Sequence, residues 1–148
     1  AWQQRYGNAE QATASADNPI IEHLLRHRSV RAYSERPLPA GTLQTLLAAA
    51  QSAATSSNLQ AWSLLAIEDP ARKERLATLA NNQAHIRSAP LFVGWGADCS
   101  RSQRIDEQQD VQLRAAAYLD SLLVGSVDAA LAAQNAVVAA ESLGLGTV

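Results

Sequence analysis

The stretch Trp62-Ser63-Leu64-Leu65-Ala66-Ile67 carries the clearest information about the fold. It is apolar and too short for an ordinary helix, and Asp69-Pro70 behind it can cap a new helix, so residues 62–68 are predicted to form a strand. Residues 90–96 are a second short apolar run, rich in aromatic residues and bounded by Pro and Gly. We expect a second buried strand there, and these two are the only convincing strands in the sequence.

Helices are predicted on both sides of the first strand. Asn18-Pro19 can begin a helix that runs to about Arg28, and a second helix begins near Ala40 and ends at the hydroxyl-rich run 54–58. A third helix follows Asp69-Pro70. The expected buried stripe of the first helix consists of Ile20, Ile21, Leu24 and Leu25, and that of the second of Leu43, Leu46, Leu47 and Ala50.

Beyond the second strand, residues 99–109 are polar and without period, which predicts a mobile loop or a frayed helix start, and a helical stretch resumes near Val111. The best-defined helix is expected to begin at Ser126, with Asp128 complementing its positive end, and to stop at Gly144. One stripe of this helix consists of Val127, Leu131, Gln134 and Val138. Its small residues, which we expect to contact another helix or another subunit, are Ala129, Ala132, Ala133, Ala136 and Ala140.

Composition narrows the class of protein. With 47% hydrophobic and 18% charged residues the chain is typical of a globular protein, and no apolar run approaches the roughly 18 residues of a membrane span. The net charge of −2 gives no field that would attract nucleic acid or a membrane surface. Cys99 is the only cysteine, so no intrachain disulfide can form and a cytoplasmic location is expected.

Both ends of the chain carry expectations of their own. Residues 1–18 are polar and lack the apolar core of a secretory signal, which predicts a mobile leader before a domain over residues 19–148. The sequence contains no methionine and stops at Gly144-Leu145-Gly146-Thr147-Val148, where a helix has just ended and a strand begins. We therefore expect material to be missing at both ends.

One short segment is suited to binding a phosphate. His27-Arg28-Ser29-Val30-Arg31 offers two guanidiniums, an imidazole and a hydroxyl within five residues, and guanidinium donors match a dianionic phosphate well. The alternative is structural, because Arg and His near the end of a helix also offset the negative pole of its dipole. Spacing alone leaves both interpretations open.

Other polar groups are less specific. Thr55-Ser56-Ser57-Asn58-Leu59-Gln60 can hydrogen-bond a planar heterocycle or a ribityl chain, or can be an ordinary polar loop. Gln83 and His85 are expected in a loop after the third helix, and Gln134-Asn135 needs partners if buried. The histidines show no zinc-ligand spacing, so no metal site is predicted. With no acid, base or nucleophile arrangement in view, an enzyme would need a cofactor for its chemistry.

Four runs, taken in order, resemble the successive signatures of the nitroreductase family. They are Arg26-His27-Arg28-Ser29-Val30-Arg31-Ala32-Tyr33, Ala54-Thr55-Ser56-Ser57-Asn58-Leu59-Gln60-Ala61-Trp62, Ala133-Gln134-Asn135-Ala136 and Glu141-Ser142-Leu143-Gly144-Leu145-Gly146-Thr147-Val148. The similarity runs from about residue 20 to residue 148. The nearest branch comprises NADPH-dependent oxygen-insensitive nitroreductases and NADPH:FMN oxidoreductases. Four motifs in order make the resemblance far more specific than any one of them.

The resemblance implies an α+β fold, a three-layer α-β-α sandwich with a mostly antiparallel sheet, and an intertwined homodimer that binds FMN at its interface. The first run would hold the phosphate with His27, Arg28 and Ser29, while Arg31 would reach the pyrimidine edge of the flavin. The cofactor-binding residues implied by motif matching are His27, Arg28, Ser29, Val30, Arg31, Thr55, Ser57, Asn58 and Gln83. Many relatives carry Arg at the position of His27, and Thr55-Ser56 replaces a more usual Pro-Ser or Ser-Ser.

The activity implied by the resemblance is hydride transfer from NAD(P)H to the flavin N5, followed by reduction of a nitroaromatic, a quinone or free flavin in a ping-pong scheme. Arg31 would act electrostatically, with no catalytic side chain besides. In the family, a glycine-containing loop and a later basic pair that complete the flavin site follow the position of Val148. The competing interpretation is a non-enzymatic binding or assembly module that keeps the phosphate-binding segment without redox chemistry.

Overall fold

The computed structural model describes residues 2–7, 18–110 and 118–148. Its helices and strands follow in the order α1 (Trp2–Tyr6), α2 (Pro19–Arg26), α3 (Thr42–Gln51), β1 (Trp62–Ile67), α4 (Pro70–Leu79), α5 (Ala84–Ser88), β2 (Phe92–Ala97), α6 (Ser100–Gln109) and α7 (Leu119–Ser142). A short 3₁₀ turn, Ser56–Asn58, lies between α3 and β1. Helices therefore precede, separate and follow the two strands.

Both predicted strands are confirmed, and they pair with each other. β1 and β2 run antiparallel, with Trp62 opposite Ala97 and Ile67 opposite Phe92. The rings of Trp62 and Trp95 lie 5.5 Å apart at an angle of 49°, the tilted arrangement that aromatic pairs prefer. β2 begins two residues later than expected, because Pro90 lacks the N–H that a strand ladder needs.

The core lies between α3 and α7. Its buried residues are Leu46, Ala50, Ala132, Ala136 and Ala140. Ala132 is 0% exposed, so the alanine-rich face of α7 is covered by α3 of the same chain. The expectation that this face is free for another subunit is wrong, and the alternative of a contact with another helix is confirmed. Small side chains let the two helices approach closely, which is how this face is used.

α7 also approaches the end of the sheet at Gly125. A Cβ atom on Gly125 would lie 2.9 Å from the Cβ of Ala97 and 3.0 Å from the carbonyl oxygen of Ala61, closer than packed side chains allow. The helix therefore lies against both strands as well as α3. The glycine fixes how near α7 comes to the loop that precedes β1.

The start of α7 differs from the prediction. The helix begins at Leu119, so Asp128 lies inside it and does not complement the positive end of its dipole. Ser126 is no cap either, because its hydroxyl donates to the carbonyl of Leu122 (2.7 Å), as an interior helical serine does. Residues 119–124, which are mostly apolar, extend the helix upstream. The prediction failed because a cap-like residue inside a long apolar helix looks the same in the sequence as a true cap.

The length of α7 corrects a second expectation. By length and composition the helix could cross a membrane, contrary to the expectation that no apolar run approaches that length. A single such helix is weak support for a span, because the core helix of a soluble protein passes the same test. The contacts of α7 with α3, β1 and β2 identify it as the core helix of this fold.

The stripe predicted to be buried on α2 is largely uncovered. Asn18 caps the helix as expected, accepting from the backbone N–H groups of Ile20 (2.9 Å) and Ile21 (3.3 Å). Yet Ile20 is 65% exposed, and no residue of α2 is fully buried. The opposite stripe of α7 is similarly open, with Val127 57% exposed. Periodicity reports that an apolar face exists, but it does not report what covers that face.

The remaining segments settle several smaller expectations. Asp69 caps α4 by accepting from the N–H of Arg72 (2.8 Å), and the polar stretch after β2 takes the helical alternative as α6. The helix expected near Val111 and most of the predicted leader lie outside the described residues. At the N-terminus, α1 contacts α2, and Arg5 donates to the carbonyls of Leu25 and His27 (3.2 Å each). The division into a leader over residues 1–18 and a domain over residues 19–148 stays a prediction.

Candidate functional site

The segment His27–Arg31 leaves the end of α2 in an extended conformation that the chain end fixes. The N–H of Val30 donates to the carbonyl of Thr147 (2.7 Å), and Ser29 and Thr147 form a parallel bridge. A Cβ atom on Gly146 would lie 2.8 Å from Cγ1 of Val30, so only glycine allows the two segments to lie this close. The residues directly after α7 therefore hold the segment in place.

A carboxylate from α7 orients the first residue of this segment. Nδ1 of His27 lies 2.7 Å from Oε1 of Glu141, and the hydroxyl of Thr147 donates to the same oxygen (2.7 Å). The Glu141 side chain is mostly buried, whereas the imidazole of His27 is 40% exposed. Glu141 lies within one of the four family motifs, but no role was predicted for it. A glutamate near the end of a long apolar helix was the available signal.

The two arginines of the segment are exposed. Nη1 of Arg28 donates to the carbonyls of His27 (2.6 Å) and Leu25 (3.3 Å) at the end of α2. One nitrogen of this side chain therefore has the structural role at a helix end that the sequence left open. Arg31 forms no hydrogen bond or ion pair with the described residues. Burial raises the pKa of Tyr33, and the positive charge of Arg31 opposes that rise in part. The segment thus presents positive charge to solvent beside the Ser29 hydroxyl.

The second candidate segment is a loop with unusual backbone geometry. Ser57, Asn58 and Gln60 all have positive φ angles, of 51°, 54° and 47°. This left-handed region costs a residue other than glycine on the order of 1 kcal/mol or more, with asparagine the best tolerated. Three such residues within four positions persist only if surrounding contacts hold them. We refer to residues 55–60 as the left-handed loop.

Asp128 of α7 accepts three hydrogen bonds at the two ends of this loop. Its Oδ2 accepts from the hydroxyl of Thr55 (2.6 Å) and the N–H of Ala61 (3.2 Å), and its Oδ1 accepts from the N–H of Ser56 (3.0 Å). The side chain is 1% exposed. Burial raises the pKa of Asp128, but the three hydrogen bonds lower it further, so the net pKa lies below its usual value and the group is a carboxylate.

Residues at the start of α6 support the loop from the other side. Arg101 donates from Nη2 to the carbonyl of Leu59 (2.6 Å), and the N–H of Asp98 donates to the carbonyl of Ala61 (2.9 Å). Hydrogen bonds from the Ser63 hydroxyl and from Ser100 lower the pKa of Asp98 to about 2. Asp128 of α7 and Arg101 of α6 therefore brace the left-handed loop, and Asp98, directly after β2, holds Ala61 at the end of the loop.

Gln83 lies apart from both segments. It precedes α5 as its N-cap residue and borders a groove of about 850 Å³ that Val30, Trp95 and Leu145 also line. His85 lies within α5, so the expectation of a loop is wrong for this residue. The sequence did not predict α5 because it is a single short turn without a strong helical pattern. On α7, Gln134 is exposed, and Asn135 is satisfied by the carbonyl of Ala49 (3.2 Å).

The structure thus brings the predicted site residues together in two groups at different heights of α7. The segment His27–Arg31 meets the helix at Glu141, whereas the left-handed loop meets it at Asp128. At about 1.5 Å per residue, about 20 Å of helix separates these two points. Gln83 is near the first group only through the groove it shares with Val30. Within the described ranges, no cluster of three or more His, Cys, Asp or Glu side chains could hold a metal ion.

Comparison with known proteins gives a consistent family. The family model described as "Nitroreductase family" matches residues 24–148. The FMN reductase (NADPH) of Bacillus subtilis is 39% identical over 130 residues, which are 87% of this chain and 52% of that protein. The oxygen-insensitive NADPH nitroreductase of Salmonella typhimurium is 41% identical over 131 residues, covering 88% of this chain and 52% of that protein. The chain spans about half the length of these curated relatives.

A solved structure confirms the fold. NfrA2 of Bacillus megaterium superposes with a TM-score of 0.86 at 42% sequence identity, over 88% of this chain and 53% of that one. The α+β class and the nitroreductase fold expected from the four motifs are thereby confirmed. Two of those motifs are the segments that Glu141 and Asp128 hold in place, and the matched region includes both. On its sequence and its fold, this chain belongs to the nitroreductase family.

Proposed function

We propose that this chain forms part of an FMN-dependent oxidoreductase that takes electrons from NAD(P)H and passes them to a nitroaromatic, a quinone or free flavin. The observation that carries the proposal is a pair of segments that α7 holds in place. Residues 27–31, the cationic segment, are held by Glu141, and residues 55–60, rich in hydroxyl and amide groups, are held by Asp128. Relatives named FMN reductase (NADPH) and oxygen-insensitive NADPH nitroreductase support it. We propose a cytoplasmic location on the composition of the sequence.

The residues present fit FMN by the chemistry of their donors. A phosphate requires cationic and hydroxyl donors, which Arg28 and Ser29 offer at an exposed position with His27 oriented beside them by Glu141. Val30 belongs to the same segment, and its backbone is fixed by Thr147. The heterocycle and ribityl chain require neutral donors and acceptors, which Ser57 and Asn58 offer on the left-handed loop. Gln83 offers a further amide in the groove that it lines together with Val30.

The role of Thr55 is narrower than motif matching implies. Its hydroxyl proton is donated to Asp128, and its oxygen accepts from the N–H of Gln60 (2.9 Å). A hydroxyl has a single proton, so Thr55 has none left to donate to a flavin. We propose that Thr55 contributes through the loop geometry, while Ser57 and Asn58 make the direct contacts.

When bound, FMN supplies the redox chemistry by accepting hydride from NAD(P)H and reducing the acceptor in a ping-pong sequence. The contribution of this chain is binding and electrostatics. Arg31 has no ion-pair partner among the described residues, so its guanidinium is available to stabilise negative charge at the pyrimidine edge. A preorganised donor of this kind is worth about 100-fold or more in rate.

We propose that the working unit is a homodimer in which two copies share each flavin site. About 20 Å of α7 separates Glu141, which holds the cationic segment, from Asp128, which holds the left-handed loop. This separation favours an arrangement in which one copy contacts the FMN phosphate and the other copy contacts the flavin ring. The uncovered apolar residues available for such a contact are Ile20, Ile21, Leu24, Leu122, Leu123, Val127 and Leu131. An apolar face of this kind is typical of a subunit interface.

Purified protein tests the proposal directly. We expect a yellow flavin spectrum, released on denaturation or acquired on reconstitution with FMN, and oxidation of NADPH or NADH only when an acceptor is present. Comparing added FMN with a nitro compound as acceptor distinguishes a flavin reductase from a nitroreductase. Protein that binds FMN but accepts hydride from neither nicotinamide contradicts the activity. Colourless protein that FMN does not reconstitute supports the non-enzymatic alternative.

A further inference from the structure

We propose that Asp128 is a positioning residue, whose buried carboxylate holds the left-handed loop in the conformation that presents Ser57 and Asn58 to the ligand. The inference rests on the proposed function, because it assigns Asp128 to the flavin site described above. It adds a residue that makes no flavin contact of its own. The loop geometry, the donor pattern and the position of Asp128 within α7 support it independently.

The hydrogen bonds of Asp128 all lead to one place. Both carboxylate oxygens accept from the loop or from Ala61 directly after it, through the Thr55 hydroxyl and two backbone N–H groups. The bonds from Thr55 and Ser56 precede the left-handed residues, and the bond from Ala61 follows them. Asp128 therefore ties the two ends of the loop together. Closing both ends limits the φ angles that the residues between them can adopt.

A carboxylate is the side chain that this donor set requires. Three N–H or O–H groups converge on the two oxygens, and a deprotonated aspartate accepts at both oxygens and donates at neither. An asparagine has the same shape but replaces one oxygen with an NH₂ donor. In either orientation of that amide, at least one buried donor of the loop faces another donor. Asp128→Asn therefore removes the tie without creating a cavity.

The stability of α7 itself comes from other residues. Its packing on α3 rests on Ala132, Ala136 and Ala140, a contact that extends away from Asp128 for about three helical turns. Asn135 links α7 to the end of α3, donating to the carbonyl of Ala49 and the hydroxyl of Ser52, and its hydrogen bonds do not involve the loop. It is the natural control, because Asn135→Ala also removes a partly buried side-chain hydrogen bond of the same helix.

The test compares wild type, Asp128→Asn and Asn135→Ala in the protein that carries these 148 residues. Hydrogen exchange is measured without ligand, and dissociation constants are measured for FMN and riboflavin. In Asp128→Asn we expect the amides of Ser56 and Ala61 to exchange about tenfold faster, and both flavins to bind about tenfold more weakly. Equal losses are expected because the loop serves the ring and ribityl chain, which the two ligands share. Asn135→Ala should leave loop exchange and both affinities within about twofold of wild type.

The outcomes separate this inference from the proposed function. Wild-type protein that binds neither flavin overturns both. Wild-type binding that Asp128→Asn leaves unchanged, or a loss confined to FMN, overturns the positioning role alone. Equal weakening by Asn135→Ala also overturns it, because general destabilisation would then suffice. If Asp128→Asn does not fold, Thr55→Val removes a single donor from the same carboxylate, and unchanged exchange at Ser56 and unchanged riboflavin binding in that variant reject the proposal.

Discussion

Glu141 and His27 form a direct contact, with Oε1 of the carboxylate 2.7 Å from Nδ1 of the imidazole. The pair joins the last turn of α7 to the residue that follows α2, across more than a hundred residues of sequence. Thr147 donates to the same carboxylate oxygen. The Glu141 side chain therefore contacts both segments that meet at the parallel bridge between Ser29 and Thr147. The orientation of the cationic segment thus depends on a residue that lies outside it.

Glu141→Ala is expected to destabilise the fold by about 1–3 kcal/mol, because His27 and Thr147 both lose a partly buried hydrogen-bond partner. Chemical denaturation measures this. Glu74→Ala is the control, since its carboxylate pairs with Arg87 at the surface, where solvent screens ion pairs and they contribute little to stability. Similar losses of unfolding free energy in the two variants would mean that the contact between Glu141 and His27 stabilises the fold no more than a surface ion pair does.

Arg28→Ala is expected to weaken FMN binding by about 1.5–3 kcal/mol, the usual contribution of a hydrogen bond to a charged group, and to weaken riboflavin binding far less. Titration of each flavin measures the two losses. This pattern is the converse of the equal losses expected for Asp128→Asn. Equal losses in Arg28→Ala would show that its guanidinium does not touch the phosphate and serves only the carbonyls of Leu25 and His27.

Gly146→Ala is expected to cost about 1–3 kcal/mol of stability, because the new methyl group would meet the side chain of Val30 at 2.8 Å. Val30→Ala in the same chain should recover part of the loss by making room. Gly96→Ala is the matched control, since nothing lies within 4 Å of a Cβ atom at that position. A denaturation midpoint for Gly146→Ala equal to that of Gly96→Ala would contradict the close approach.

Asp98 predicts a pH dependence of stability. Hydrogen bonds from Ser63 and Ser100 lower its pKa to about 2 in the folded chain, so between that value and the ordinary value near 4 the unfolded chain binds more protons. The stabilisation is complete above the ordinary value and disappears as the pH falls toward 2. The free-energy advantage of wild type over Asp98→Asn should therefore shrink across this window, and Ser63→Ala should reduce the slope. A constant advantage from about pH 6 to about pH 2 would refute the assignment.

Leu123→Glu is expected to shift the protein from dimer to monomer at low micromolar concentration, because it places a charge on the uncovered face of α7. Sedimentation velocity distinguishes the two states. Ala132→Glu is expected to unfold the chain instead, since that position is filled by α3. Wild-type protein that sediments as a compact monomer at every concentration would show that the apolar face is not a homodimer interface.

The parts of the fold that follow from local physics were predictable. The strands were visible as short apolar runs, and Asn18 and Asp69 cap their helices as their residue types suggest. The site residues missed by sequence reasoning, Asp128 and Glu141, act on segments far away along the chain. Nothing in the local pattern distinguishes a carboxylate that braces a distant loop from one that complements a helix dipole. A clue lay in their rarity, since Asp120, Asp128 and Glu141 are the only charged residues of α7.

The coverage of apolar faces was not predictable for a related reason. The alanine-rich side of α7 and the stripe of Val127 and Leu131 are both apolar, and the exposed role was predicted for the wrong one. The small side chains match α3, which brings its own alanine, Ala50, to the contact. Which of two apolar faces is used within the chain depends on the shape of the partner helix, and shape complementarity is not contained in a periodicity.

Asp128 and Glu141 lie on one continuous helix, α7. The helix therefore fixes the rotation of the two segments that they hold relative to each other. Each residue added to an α-helix rotates the remainder of the helix by about 100° and advances it by about 1.5 Å. A single insertion between these carboxylates would turn the cationic segment a quarter of a revolution or more relative to the left-handed loop, while leaving both sets of hydrogen-bonding residues intact. Substitutions along this stretch are therefore constrained by packing and by the hydrogen bonds of Asn135, whereas its length is constrained by the angle between the two halves of the site.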